Sequence, residues 1–357
     1  MYITTILYDG WTLCRSPLSS PALHLFDILS NLPDGIAAHV AVPQAAPDWL
    51  PGNAVIHRIE TQDSARGRLG WEQRTLPGLA RRLGAGLHLT SPTAPLFGTG
   101  RVFVSPGASS PAGGSAGFGS RLRGAFGRGG TARADLVWPE DIPAPLETPE
   151  PARLSPAVDP RFHPHNRFNP PQIEGAPELP AGYFLVHTRP DREAIRRALE
   201  AWTWASGPIG EVYPLLFLGL PEDLQEHARA LGRQHHLRAE TMVFYPAVRP
   251  DELHLLYQAA SAVFLPDPAG PWHSPLRLGL ACGVPVVAQE TAVSDAIAGP
   301  AAYLVPGGDP RGTGSALIAV IIKDELRKQL RDAAQERVKS WSLQRFKEGL
   351  AEIYLKK

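Results

Sequence analysis

Cysteine is almost absent from this chain: its 357 residues hold two, Cys14 and Cys282. They fall in different halves, so a disulfide framework is excluded as the source of stability, and a reducing, cytoplasmic setting is the expectation. Net charge is absent as well. The 35 Lys and Arg balance 35 Asp and Glu, so no long-range pull toward nucleic acid or an anionic membrane follows. The aromatic residues are scattered rather than interleaved with a basic stripe, which leaves a nucleic-acid partner without a footprint. No apolar run reaches the roughly 18 residues needed to span a bilayer. The first ten residues, M-Y-I-T-T-I-L-Y-D-G, lack the basic and extended apolar stretches of a signal peptide and read as a buried strand. Missing motifs exclude further chemistries: there is no P-loop, no G-x-S-x-G, no H-E-x-x-H and no G-x-G-x-x-G after a strand. The pair His235-His236 has no carboxylate or cysteine at metal-ligand spacing, and no metal cofactor is expected.

What the chain has is punctuation, with 37 prolines and 34 glycines gathered into particular stretches. Between them, short apolar runs alternate with segments of helical period. Strands are expected at 2–8, 36–42, 55–59, 87–90, 102–104 and 134–138, the last closing the first half, with helices at 22–32 and 71–83. Leu23, Phe26, Leu29 and Leu32 give the first helix its spacing. Residues 107–130, rich in Gly, Ser and Ala with Arg121, Arg123 and Arg128, read as a flexible loop. Residues 139–180 are dense in proline and read as hinge and linker. A second set follows: strands at 183–187, 215–218 and 242–245, and helices at 192–204, 221–231 (capped by Gly232) and 250–260. Charged helices at 323–340 and 342–355 complete the chain. Strands alternating with helices predict parallel βαβ units, and this length predicts two doubly wound α/β domains.

The most informative stretch is residues 264–288, F-L-P-D-P-A-G-P-W-H-S-P-L-R-L-G-L-A-C-G-V-P-V-V-A. It reads as an apolar strand, a loop, a compact helix stopped by Gly283, and a second apolar strand. It resembles the donor-sugar site of retaining, GT-B-fold glycosyltransferases of family 4, whose pattern is roughly P-S-x-x-E-G-F-G-L-P-x-L-E-A-M-A-C-G-x-P-V-V. Pro266, Pro275, Ala281, Cys282, Gly283, Pro285, Val286 and Val287 match it. The likeness continues in order through residues 180–193, 243–267 and 341–346. In the first half, W-E-Q-R-T-L-P at 71–77 looks like a segment of mannosyltransferase-like members, and 133–138 and 158–162 have counterparts too.

The resemblance implies a GT-B architecture: two Rossmann-like domains facing each other across a cleft. Residues 1–165 would form the acceptor-side domain, 166–340 the nucleotide-sugar domain, and 341–357 a helix packing back toward the first. It implies transfer from a nucleotide-sugar donor to a glycan or lipid-linked acceptor, with retention and without a metal. The leaving diphosphate would then be met by arginines and helix N-terminal N–H groups. Arg189 and Arg192 fall at or near the family's diphosphate-binding basic pair, and His273 and Ser274 remain in the donor loop; Ser274 also suits an N-cap before Pro275. Arg277 belongs either beside the diphosphate or on an exposed helix face.

Other positions depart from the pattern. The family's two donor glutamates fall on Gly270 and Leu278, and Ser105-Pro106 stands where His-Asp is expected. Pro17 and Ser19 replace the glycines of the first turn, where Ser19 or Ser20 reads as an N-cap. His88 reads as a satisfied strand-end histidine. Two functional readings follow: an active glycosyltransferase, or a catalytically degenerate homologue acting as a binding or partner subunit in glycan assembly.

Overall fold

The structure is a computed structural model. It describes residues 4–91, 93–96, 100–106, 133–144, 150–165, 171–272 and 274–355, so the loop expected at 107–130 lies outside the described residues. The chain divides into two compact units, one within Met1–Ala157, Gly270–His273 and Ser342–Lys357, the other within Val158–Ala269 and Ser274–Trp341.

The first unit contains β1 (Thr4–Asp9), α1 (Trp11–Arg15), α2 (Ser20–Ser30), β2 (Ile36–Val42) and β3 (Ala54–Arg58). It continues through α3 (Ala65–Gly70), a π-helical turn (Trp71–Thr75), α4 (Leu76–Leu83), β4 (Gly86–Leu89), β5 (Val102–Val104), β6 (Asp135–Pro139) and β7 (Ala152–Leu154). The chain's last helix also belongs here. The sheet order is β3-β2-β1-β4-β5-β6-β7, parallel throughout. Successive β1 side chains serve opposite faces, as a period of two requires. Ile6 and Tyr8 join Leu25, Ile28 and Leu350 on one face, while Leu7 joins Trp71, Leu76 and Leu79 on the other. Position 10, between β1 and α1, takes glycine because a Cβ there would lie 2.7 Å from the Ala41 carbonyl oxygen.

Two sequence expectations change in this unit. The strand at 134–138 is not the last of its sheet, because β7 adds an edge beyond it, pairing Ala152 with Val137. A three-residue strand in a proline-rich stretch offers no readable period. The helix expected at 71–83 begins a turn and a half earlier, where the Ser64 hydroxyl accepts the Gly67 N–H at 3.0 Å.

The second unit contains β8 (Phe184–Val186), α5 (Arg192–Ile209), β9 (Leu215–Leu218), α6 (Glu222–Gln234), β10 (Met242–Tyr245), α7 (Leu253–Ala259) and β11 (Ala262–Leu265). It continues through α8 (Ser274–Ala281), β12 (Val286–Gln289), α9 (Ala292–Ala298), β13 (Tyr303–Val305), α10 (Pro310–Ile322) and α11 (Asp324–Val338). The final helix of the chain is α12 (Leu343–Leu355). The sheet order is β10-β9-β8-β11-β12-β13, again all parallel. Strands β8, β9 and β11 are buried at every residue, as parallel strands covered on both faces must be. Trp202 of α5 and Leu317 of α10 pack with Phe184 and Phe217 on one of those faces.

Gly232 is not a cap. Helix α6 runs on to Gln234, and Gly232 lies inside it under Met242, whose Cε would stand 2.6 Å from an added Cβ; the left-handed residue is His236, at φ 56°. The sequence reading leaves α9, β13 and α10 unassigned. In α10, Gly312 and Gly314 conceal the helix, although a Cβ at Gly314 would lie 2.7 Å from the Ala201 carbonyl oxygen. Gly283 does stop α8, at φ 64°, with Val284 N–H returning to the Gly279 carbonyl at 3.2 Å. Gly283→Ala adds left-handed strain and brings a Cβ to 3.1 Å from Pro164 Cγ. Chemical denaturation should show a loss of about 1–2 kcal/mol; an unchanged midpoint would count against that cap. No described helix is long and apolar enough to cross a membrane.

Candidate functional site

In an open parallel sheet the crevice for a ligand lies beyond the strand C-termini where the strand order reverses. The reversals here fall between β1 and β4 in the first unit and between β8 and β11 in the second.

In the second unit, the segment after β8 is H-T-R-P-D and that after β11 is P-D-P. They converge on one carboxylate. Asp267 is 6% exposed. Its Oδ2 accepts the Thr188 hydroxyl and the Arg189 N–H, the latter at 3.1 Å. Its Oδ1 accepts Arg197 Nη2 at 2.5 Å, and the Arg189 guanidinium stands 3.7 Å away. Arg197, one turn into α5, is anchored by the Pro266 carbonyl at 3.1 Å and Glu193 at 2.9 Å. Asp191 caps α5, accepting the Ala194 N–H at 2.8 Å, and lies 3.5 Å from Arg189 Nη2. The neighbouring His187 is buried, with Nδ1 2.7 Å from the Tyr257 hydroxyl. A backbone N–H, a hydroxyl and two guanidinium groups around a pair of oxygens form an anion site, and such charge-assisted bonds are the strong ones. A cavity of about 340 Å³ opens beside it, lined in part by Arg197, Pro266, Gln289, Gly308 and Thr313.

Of the residues expected to bind a donor, Arg189 stands in this crevice, half-exposed. Arg192 opens α5, is exposed, and makes no ion pair with a described residue. His273 lies outside the described residues; Ser274 is the first residue of α8, and its side chain lies outside them too. Sequence reasoning missed Thr188, Arg197 and Asp267. The signal for Asp267 was available: it is a carboxylate two residues past a fully apolar strand, where ligand-facing groups collect. Arg197 gave none, since it continues a helix already rich in charge.

Three of the positions that depart from the family pattern, Ser105, Gly270 and Leu278, are buried, whereas Pro17, Ser19 and Pro106 are partly exposed. Ser105, just beyond β5, has no exposed surface. Its hydroxyl lies 2.7 Å from His88 Nε2 and 3.1 Å from His24 Nε2. His88 Nδ1 in turn meets the Tyr354 hydroxyl of α12 at 2.6 Å. Burial pushes the His88 pKa down to about 3, so the ring is neutral and Ser105 is a bridging hydroxyl in the first unit's core. His24 stacks on Trp272 with ring centres 4.2 Å apart. Gly270 is buried and groups with the first unit, whereas Leu278, on α8, is 7% exposed. Arg277 does not lie on an exposed helix face: it is buried, with its guanidinium 4.9 Å from the Trp341 ring. Ser19 holds the N-cap position of α2, but its hydroxyl donates to the Ser16 carbonyl at 2.7 Å instead of capping the helix.

At the end of β1 in the first unit lies a buried polar knot that the sequence did not reveal. Arg68 reaches from α3 to Asp9 at 2.6 Å and to Glu72 at 2.8 Å. Trp71 Nε1 donates to Asp9 at 2.8 Å, and the Thr93 hydroxyl to Glu72 at 2.9 Å. The spacing of Arg68 and Glu72 is four residues, yet the intervening π-turn and the partner Asp9, 59 residues away, are tertiary facts. Among the described residues, no three His, Cys, Asp or Glu side chains converge as a metal site.

No family model matches the chain, and no curated protein matches it in sequence. Solved structures do match in shape. Sucrose-phosphate synthase from Thermosynechococcus elongatus superposes with a TM-score of 0.71 at 15% identity, covering 99% of this chain and 98% of that one. WaaG, a glycosyltransferase involved in lipopolysaccharide biosynthesis, gives 0.70 at 15% identity over 99% and 100%. Anabaena HepE, solved in complex with UDP and glucose, gives 0.62 at 12% identity over 99% of each chain. The two parallel-sheet α/β units are those of the GT-B fold.

Proposed function

We propose that this chain is a glycosyltransferase that takes a sugar from a nucleotide-sugar donor and passes it, with retention, to a glycan or lipid-linked acceptor. One observation carries the reading. At the strand-order reversal of the second sheet, Thr188, the Arg189 N–H and Arg197 converge on two carboxylate oxygens, an arrangement that also suits the oxygens of a diphosphate. Arg192, which opens α5 and pairs with no described charge, is assigned to the same anion. His273 and Ser274 are assigned to the donor loop. With arginines supplying the positive charge, the reading calls for no metal. It places the protein in the cytoplasm, where its two free cysteines remain reduced.

A second reading, a binding or partner subunit, draws on Gly270 and Leu278. Neither side chain can accept a hydroxyl proton, and each lost hydrogen bond would cost about 1–3 kcal/mol of donor discrimination. One experiment separates the readings. Thermal unfolding in millimolar UDP-, GDP- and ADP-sugars should show one nucleotide series raising Tm by mass action, and that sugar should be released or transferred on incubation. Stabilisation without turnover would leave the binding subunit; no shift with any series would sink the glycosyltransferase reading and leave the partner subunit, whose sign is a copurifying protein or dimer.

A further inference from the structure

The anion site described above already holds an anion, and it is the protein's own. Asp267 is nearly sealed from solvent, it accepts from Thr188, Arg189 and Arg197 together, and the other carboxylates on the segments around it are already engaged: Asp191 with the α5 N-terminus, Glu193 with Arg196 and Arg197, and Glu200 with Arg196. A phosphate oxygen seeking the same donors would have to enter beside a full negative charge. It would also find both guanidinium groups partly neutralised.

We propose that the Asp267 carboxylate is a resident surrogate for donor phosphate: it occupies the anion position of the β8–β11 crevice, and a diphosphate binds there only by displacing it. This deepens the reading of the crevice as a diphosphate site, on which it rests. The device keeps three donor groups ordered and satisfied in the empty protein, since buried polar groups left unpaired are costly. It also sets a threshold, because only a ligand with more than one negative charge and several oxygens outcompetes a carboxylate already in place. Asp267 is thus a residue that tunes donor affinity without serving the donor directly.

The test is a titration of wild type, Asp267→Asn and Asp267→Ser with inorganic pyrophosphate and, separately, with UDP, GDP and ADP, by calorimetry at fixed low salt. Both variants should bind pyrophosphate at least tenfold more tightly than wild type. Both should also show a lower Tm when empty that pyrophosphate restores by a larger increment than it adds to wild type. If the variants tighten on a nucleoside diphosphate as well, surrogate and donor site stand together. If they tighten on pyrophosphate but on no nucleotide, the surrogate stands and the nucleotide-sugar reading falls. If wild type binds a nucleoside diphosphate as tightly as the variants do, the surrogate falls and the donor reading stands. Failure of all three proteins to bind either probe overturns both ideas. Should both variants fail to fold, the surrogate is overturned too, because a carboxylate the fold requires is not one that a ligand can displace.

Discussion

Arg68→Met is expected to destabilise the first unit by about 3–5 kcal/mol, the usual cost of removing one partner from a buried ionic cluster. The side chain is 8% exposed, against 3% for Asp9 and 0% for Glu72. Its guanidinium also lies 4.8 Å from the Trp11 ring. Methionine can refill most of the volume, so packing contributes little to the loss; the charge balance contributes most. Asp9 would keep hydrogen bonds from Trp71 Nε1 and the Trp11 N–H, and Glu72 would keep Thr93, but both buried carboxylates would lose the Arg68 guanidinium. Hydrogen exchange of the β1 amides, which reports the unit itself, should show this loss near neutral pH. Adding Asp9→Asn and Glu72→Gln to the variant should recover a large part of it, because the buried charges are then gone. A loss below about 1 kcal/mol, typical of exposed pairs, would show that the knot is structurally idle.

The fold was legible where physics is local. Strands of parallel sheets are apolar on both faces, so β2, β5, β9 and β10 stand at the boundaries their sequences predict. Gly283 ended α8 because only a residue tolerant of positive φ closes a helix that way. Legibility failed where glycine served packing rather than turning. Gly232 reads as a stop and is a contact point under Met242; Gly314 reads as a break and lets α10 approach α5. The site was legible only as far as one segment could carry it. Arg189 is visible because it falls at or near the basic pair of the pattern the chain resembles, and Asp267, two residues past an apolar strand, could have been. Their meeting is set by the pairing of β8 with β11, Phe184 opposite Ala262, and no motif of either segment announces it. Ser105 shows the same limit: alignment marked it as a departure from a pattern, whereas its contacts with His88 and His24 make it a core hydroxyl.

Acid should weaken the first unit through His88 more than through any exposed group. The buried imidazole takes a proton only near pH 3, because burial disfavours its charged form, whereas in the unfolded chain it does so near its ordinary value of about 6.5. Between those two values the unfolded state carries the extra proton. Its contribution to stability is therefore complete above about pH 6.5 and is lost as pH falls, by roughly 1.4 kcal/mol per unit while only the unfolded ring is charged. Carboxylates titrate over part of the same range, so the informative quantity is a difference. His88→Gln cannot take up that proton, and its stability profile should be shallower than wild type between pH 6 and 4, even though it starts lower. Tyr354→Phe provides the control. It removes the hydroxyl 2.6 Å from His88 Nδ1 and should cost about 1–3 kcal/mol at neutral pH, yet it should keep the steeper profile because the buried ring is still there. Parallel profiles for wild type and His88→Gln would mean that water reaches the ring and that the Ser105–His88–Tyr354 chain does not seal α12 against the sheet.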